Sequence, residues 1–243
     1  MKRNYEQELK KRVDFIRKLL KDSGAKGIVY GNSGGKDSAL VGILCQKACD
    51  QVLALMMPCE SKQNYEQDMQ DALSVAEQYG IKTKTIDLTE VKAVFLSHMP
   101  EGLEISSMAR ANIAPRLRMA ALYATAQSLG YLVAGTGNRS ETYMGYFTKW
   151  GDGACDFNPI SDLTVTEVYE FLEYLDAPRS IRTKAPSAGL YPGQTDEKEM
   201  GISYNAIDEY LLCHTGDADV KKRIEAAHQK TEHKRKGILT LGL

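Results

Sequence analysis

The sequence predicts a doubly wound α/β fold, a parallel sheet with helices on both faces. Two observations predict it. Short apolar runs alternate with longer amphipathic segments as far as Ala134. Strands that alternate with helices pair in parallel and are covered on both sides. Two of the apolar runs end in glycine-rich turns, Gly31 to Gly35 and Gly135 to Gly137. In such folds ligands bind at the carboxyl ends of the strands.

The elements follow in order. Tyr5 to Lys21 places Val13, Ile16, Leu19 and Leu20 on one face of an amphipathic helix. Ile28, Val29 and Tyr30 form a short buried strand, which three glycines and a serine then break. A helix starts at Ser38, capped by Asp37 or Ser38, and runs to about Asp50. Val52 to Met57 is the second strand, stopped at Pro58. Asn64 to Tyr79 is a helix that Gly80 closes. Ile81 to Ile86 is the third strand and Thr89 to Ser97 a further helix. Met99 to Ser107 is loop. A long helix covers about Ala109 to Leu129, regular only from near Ala114, because Pro115 fits a first turn. Tyr131 to Ala134 is the fourth strand. Three glycines and a proline keep Gly145 to Ile160 irregular. Val165 to Leu175, Ser203 to Cys213 and Asp217 to Gln229 are helices. Between them Pro178 to Thr195 reads as a lid or a disordered stretch.

Composition narrows the function. The chain has 243 residues, 43% hydrophobic and 26% charged, enough for one large domain with or without an appendage. A formal net charge of −1 provides no field to draw in nucleic acid or an anionic membrane. No apolar run approaches a membrane span, and the first residues are charged rather than a signal segment. The five cysteines include no Cys-x-x-Cys pair, which argues against a zinc site or a disulfide framework and for a reduced, cytoplasmic setting.

Strand, glycine loop, helix is the order that builds an anion site. Loop amides and the first free N–H groups of the helix converge, and glycine lets a phosphate approach the backbone. The spacing fits neither the triphosphatase loop, since Asp37 follows Lys36, nor the dinucleotide fingerprint. A carboxylate such as Asp37 beside a phosphate cradle makes sense if it holds a magnesium ion that bridges to the phosphates. A tight turn with no ligand is the plain alternative. Glu141 ends the second glycine turn, as a second ligand to that ion or as an ordinary surface glutamate at a helix start. Arg116 and Arg118 lie about 200° apart around a helix and cannot face one ligand; both as solvated charges is the plain reading. Lys149, Asp152 and Asp156 are the chemistry-capable residues of the 145–160 loop. The basic run from Lys221 to Lys236 reads as a solvated face.

Ser33-Gly-Gly-Lys-Asp-Ser38 resembles the pyrophosphate loop of the N-type ATP pyrophosphatases, enzymes that cleave ATP between its α- and β-phosphates and adenylate an oxygen. Within that superfamily, seven later motifs in order resemble the NAD synthetases. They are Asn112-Ile-Ala-Pro-Arg-Leu-Arg-Met119, Gly135-Thr-Gly-Asn-Arg-Ser-Glu141, Gly145-Tyr-Phe-Thr-Lys-Trp-Gly-Asp152, Asp156-Phe-Asn-Pro-Ile160, Lys184-Ala-Pro-Ser-Ala188, Gly193-Gln-Thr-Asp-Glu197 and His233-Lys-Arg235.

The resemblance implies an adenine nucleotide alpha hydrolase-like, Rossmann-like fold and a homodimer with shared sites. It implies the reaction of deamido-NAD, ATP and ammonia to NAD, AMP and pyrophosphate, with Mg2+. Carried over, Gly31, Asn32, Ser33, Gly34, Gly35, Lys36, Asp37 and Ser38 hold ATP phosphates, and Thr136 and Ser187 touch ATP. Asp37 and Glu141 hold the metal. Arg116, Lys149 and Asp156 bind deamido-NAD, and His233 with Lys234 closes over it. No side chain is implied as a nucleophile. Three positions depart from the family pattern. Pro115 stands where Ala or Gly is common, and Lys36 where an uncharged residue is. Val165 falls where many members carry an ATP-binding lysine, with Lys184 and Lys36 as its candidate replacements. Residues 1–243 read as one domain with no room for a glutaminase, so the expected nitrogen donor is ammonia.

Overall fold

The computed structural model describes residues 3–60, 65–184, 196–238 and 240–241. Helix α1 (Tyr5–Ser23) is capped by Asn4, whose side chain accepts from the Gln7 amide, and ends at Gly24 in the left-handed region. β1 (Gly27–Gly31), α2 (Lys36–Ala48), β2 (Val52–Met56), α3 (Tyr65–Tyr79) and β3 (Lys82–Thr85) alternate after it. Three helices, α4 (Thr89–Ser97), α5 (Ser107–Ala111) and α6 (Ile113–Leu129), lead to β4 (Tyr131–Ala134). The remainder is helical: α7 (Arg139–Met144), α8 (Val165–Tyr174), α9 (Arg179–Thr183), α10 (Asp196–Met200), α11 (Tyr204–Cys213), α12 (Ala218–Lys230) and α13 (Glu232–Arg235).

The strands lie in the order β3-β2-β1-β4, and every pairing is parallel. The chain winds outward from β1 to β3, then crosses back to place β4 on the other side of β1. That reversal opens a crevice at the carboxyl ends of β1 and β4. Alternation of side chains covers both faces. Ile28 and Tyr30 of β1 pack with Ile16 of α1, Leu40 and Leu44 of α2, and Phe171 of α8. Val29 packs the other way, with Ala114 and Ala126 of α6. The doubly wound α/β architecture predicted from the sequence is the one observed. A third apolar cluster joins Met144, Val165, Tyr204, Ile207 and Ile224, and binds α7, α8, α11 and α12 into a helical appendage.

Several boundaries differ from the sequence reading. α2 begins at Lys36, not Ser38, because Gly35 occupies the cap position with no side-chain bond, and Asp37 and Ser38 fall in the first turn. The 109–129 helix is two helices that meet at Asn112, with Pro115 in the first turn of α6. β3 is shorter than predicted. Lys82-Thr-Lys-Thr85 is a polar edge strand of the kind that resists pairing with another chain. α9 occupies part of the predicted 178–195 loop, while 185–195, with Ser187, lies outside the described residues. No described helix is long and apolar enough to cross a membrane.

Candidate active site

β1 delivers the chain into the crevice, and Asn32 fixes the turn that follows. Its N–H donates to the Leu55 carbonyl at 2.8 Å and extends the sheet ladder. Its side-chain amide donates to the Ala72 carbonyl at 3.2 Å, and its Oδ1 accepts from the Gly34 N–H at 3.3 Å and the Ser38 hydroxyl at 3.4 Å. The Asn32 side chain is therefore spent inside the loop. Ser33 Oγ accepts from the Gly35 amide at 3.3 Å. Gly34 has φ +72°, and a Cβ there would lie 2.1 Å from the Asp68 carbonyl oxygen, so only glycine fits. With no side chain capping α2, the first amides of that helix keep their N–H groups for a ligand. Tyr30 and Ala134 are partners across β1 and β4, which sets the half-buried Thr136 of the second turn beside the Gly31 turn.

The two carboxylates expected to hold a metal meet here. Lys36 Nζ donates to Asp37 Oδ2 at 2.6 Å and lies 3.5 Å from Glu141 Oε1. Asn138 holds both acids. Its Nδ2 donates to Asp37 Oδ1 at 3.1 Å and its N–H to Glu141 Oε2 at 3.3 Å, while its Oδ1 accepts the Glu141 N–H at 3.0 Å. The last two bonds are a capping box at the start of α7. Glu141 does open a helix, as the surface alternative held, but its side chain is only 17% exposed and faces Asp37.

Burial pushes the Glu141 carboxyl up and the Asp37 charge pushes it further, to about 8, although Lys36 opposes both. Burial alone would lower the Lys36 ammonium; Asp37 and Glu141 reverse that and hold it above its ordinary value. The Tyr169 and Tyr204 rings flank that ammonium, 6.0 and 5.7 Å away, and the Tyr204 hydroxyl donates to Asp196 at 2.9 Å. Two hard-oxygen donors, with no group of three His, Cys, Asp or Glu gathered among the described residues, fit magnesium. That ion binds through one or two carboxylates and leaves its other positions to water and substrate phosphates.

The candidates to replace the lysine absent at Val165 differ in what they touch. Val165 itself is apolar core, 4% exposed. Lys184 Nζ donates to Asp68 at 2.6 Å, Asp71 at 2.8 Å and the Gly34 carbonyl at 3.1 Å. It ties the end of α9 to α3 and to the glycine loop. Lys36 is the lysine held between the acids.

A second group collects at the other end of α7, a helix about 9 Å long. Lys149 Nζ donates to the His233 carbonyl at 2.6 Å, and Arg116 reaches the Lys149 carbonyl at 3.4 Å. Lys234 donates to the Gly145 and Phe147 carbonyls, both at 2.7 Å, and burial pulls its ammonium down. Arg118 turns away to the Met57 carbonyl at 2.9 Å, as the helical angle requires. Asp156 stands apart from these four: it accepts from the Val133 N–H at 2.8 Å and the Tyr123 hydroxyl at 3.2 Å. It satisfies a donor on the outer edge of β4, where the Asp156 N–H in turn donates to the Val133 carbonyl and Phe157 bridges to Ala134.

The basic C-terminal run is not merely a solvated face. Arg235 donates to the Thr142 and Tyr143 carbonyls at 3.2 Å, and His228 stacks on Tyr143 with ring centres 3.9 Å apart. Cations thus meet the negative end of α7. Sequence reasoning missed Asn138, although Asn-x-x-Glu is a readable capping signature. Asp196 lies within the Gly193 to Glu197 motif but was given no role there, and the sequence carried no signal for Tyr169 or Tyr204.

Known proteins resemble this chain over nearly its whole length. The NAD synthase family model matches residues 8–237. The NH(3)-dependent NAD(+) synthetase of Carboxydothermus hydrogenoformans is 44% identical over 97% of both chains. The solved NMN synthetase of Francisella tularensis superposes with TM-score 0.93 at 40% identity, over 99% of this chain and 100% of its own. The NH3-dependent NAD synthetase of Campylobacter jejuni gives 0.81 at 32%, over 99% and 100%. The family model and the full-length likeness together show that the chain belongs to the NAD synthase family.

Proposed function

We propose that this chain is an ammonia-dependent carbon–nitrogen ligase that completes NAD biosynthesis from deamido-NAD. The meeting of Asp37 and Glu141 beside an uncapped phosphate loop carries the reading. A nicotinate carboxylate is a poor acyl donor. One of its oxygens attacks the α-phosphorus of ATP, pyrophosphate leaves, and a mixed anhydride with AMP remains. Ammonia then attacks the acyl carbon, AMP departs with the carboxylate oxygen, and the nitrogen loses a proton.

The amides opening α2 hold the departing phosphates, with Ser33 and Ser38 beside them and Thr136 and Ser187 on the nucleotide. Asp37 and Glu141 hold magnesium, which supplies charge neutralisation at the phosphates when bound. Arg116, Lys149, His233 and Lys234 form the dinucleotide site next to α7, with Asp156 at its β4 edge. No side-chain nucleophile is needed, and positioning is most of the catalysis.

The protein works as a homodimer. Val91, Val94 and Phe95 of α4, with Leu103 and Met108, are exposed apolar side chains, and Phe95 also lines a crevice of about 290 Å³ with Met99, Ile105, Ile113 and Leu117. Five unpaired cysteines suit the reducing cytoplasm.

A second reading has the same chemistry and a smaller acceptor. The TM-score of 0.93 to an NMN synthetase, against 0.81 to an NAD synthetase, favours it. To form NMN by this route, an enzyme amidates the carboxylate of nicotinate mononucleotide. The test is to give the purified chain ATP, magnesium, ammonium and either deamido-NAD or the mononucleotide, and to compare kcat/KM. NAD with an equal amount of AMP as the faster reaction supports the first reading. Faster NMN formation replaces it with the second. No turnover of either removes both.

A further inference from the structure

Lys36 is a buried ammonium, 5% exposed, in the place a metal would need. Its Nζ touches Asp37 Oδ2 at 2.6 Å and approaches Glu141 Oε1 at 3.5 Å. A divalent ion bridging these oxygens and an ammonium in the same position exclude one another sterically and by charge. The Tyr169 and Tyr204 rings, 6.0 and 5.7 Å from that ammonium, favour a cation over their faces. The other lysine at the loop, Lys184, has its own acids in Asp68 and Asp71 and does not compete for this pair. Lys36 also stands in the first turn of α2, where the loop amides await phosphates.

We propose that Lys36 is a resident counter-ion of the Asp37–Glu141 pair: it competes with the divalent ion in the free protein and moves to the phosphates when nucleotide arrives. Metal entry is thereby coupled to nucleotide binding. The proposal rests on the reading of Asp37 and Glu141 as the metal pair.

The test uses Mn2+ as the probe, with free ion counted by its paramagnetic resonance signal, on the full chain and on Lys36→Met. Without nucleotide, Lys36→Met binds Mn2+ tighter than the unsubstituted protein by at least about tenfold, the modest end of what removing a like charge at contact distance gives. With a non-hydrolysable ATP analogue present the difference shrinks. Lys36→Arg, which keeps the charge, stays near the unsubstituted protein. If Lys36→Met does not fold, Lys36→Gln serves in its place. Equal or weaker Mn2+ binding by the neutral variant, when the unsubstituted protein binds Mn2+ with the analogue, overturns the role of Lys36 alone. If neither protein binds Mn2+ under either condition, the metal reading of Asp37 and Glu141 fails and the proposal falls with it.

Discussion

Asn138 shows how one fully buried side chain can serve fold and site together. Its carbonyl oxygen caps α7, and its amide nitrogen holds Asp37 from an element 101 positions away. The two roles separate by substitution. Asn138→Ala loses both and costs about 1 kcal/mol from the cap alone. Asn138→Ser can still cap but has no donor that reaches Asp37. The expected result is that Asn138→Ser melts above Asn138→Ala, while its amidating activity falls as far, by about tenfold or more. Equal melting temperatures, or a serine variant with full activity, would refute the division. The cap was legible because Asn-x-x-Glu is a local pattern. The bond to Asp37 was not, because it depends on β1 and β4 being neighbours. At Gly34 the need for glycine was legible, but its reason was not: the backbone of α3 lies where a Cβ would be.

Elements are held to the sheet by charge as well as by apolar faces. α1 presents Ile16 to the core, and Arg12, 6% exposed, grips Asp162 with both nitrogens at 2.7 and 3.0 Å. Arg3 adds a third bond to Asp162 at 3.0 Å. Burial would raise the Asp162 carboxyl; the bonds and charges of Arg12 and Arg3 outweigh it and hold the group at about 2. A folded value below the ordinary one stabilises the fold above about pH 4, and that contribution disappears as pH falls towards about 2. Unfolding by urea across this range will show Asp162→Asn with a flatter acid limb and lower stability at neutral pH. An acid limb as steep as that of the unsubstituted protein would contradict it. Regular elements such as α4 and β4 were read from sequence to the residue. The start of α2 was missed because capping rules look for a side chain, and Gly35 offers none. The break at Asn112 was placed two residues late, near Ala114, because Pro115 is the stronger local signal.

At the scale of the molecule, β3-β2-β1-β4 order brings two glycine turns to one crevice, and α7 spans from the acid pair to the basic group. The sheet rule predicted the meeting of the turns. The helical appendage and the grip of Lys234 and Arg235 on α7 needed the tertiary structure, since a basic run on a helix usually faces water. Dimerisation through the α4 face is expected to appear by sedimentation as a species of twice the chain mass. Phe95→Glu should convert it to monomer with its helical content intact; a monomer already in the unsubstituted protein would remove the proposal.

If the crevice adenylates a nicotinate carboxylate before amidating it, one carboxylate oxygen ends in AMP. The direct measurement is turnover of deamido-NAD labelled with 18O in that carboxylate, followed by mass analysis of the AMP. AMP carrying one 18O for every NAD formed is the expected result. NAD formed alongside unlabelled AMP would contradict it.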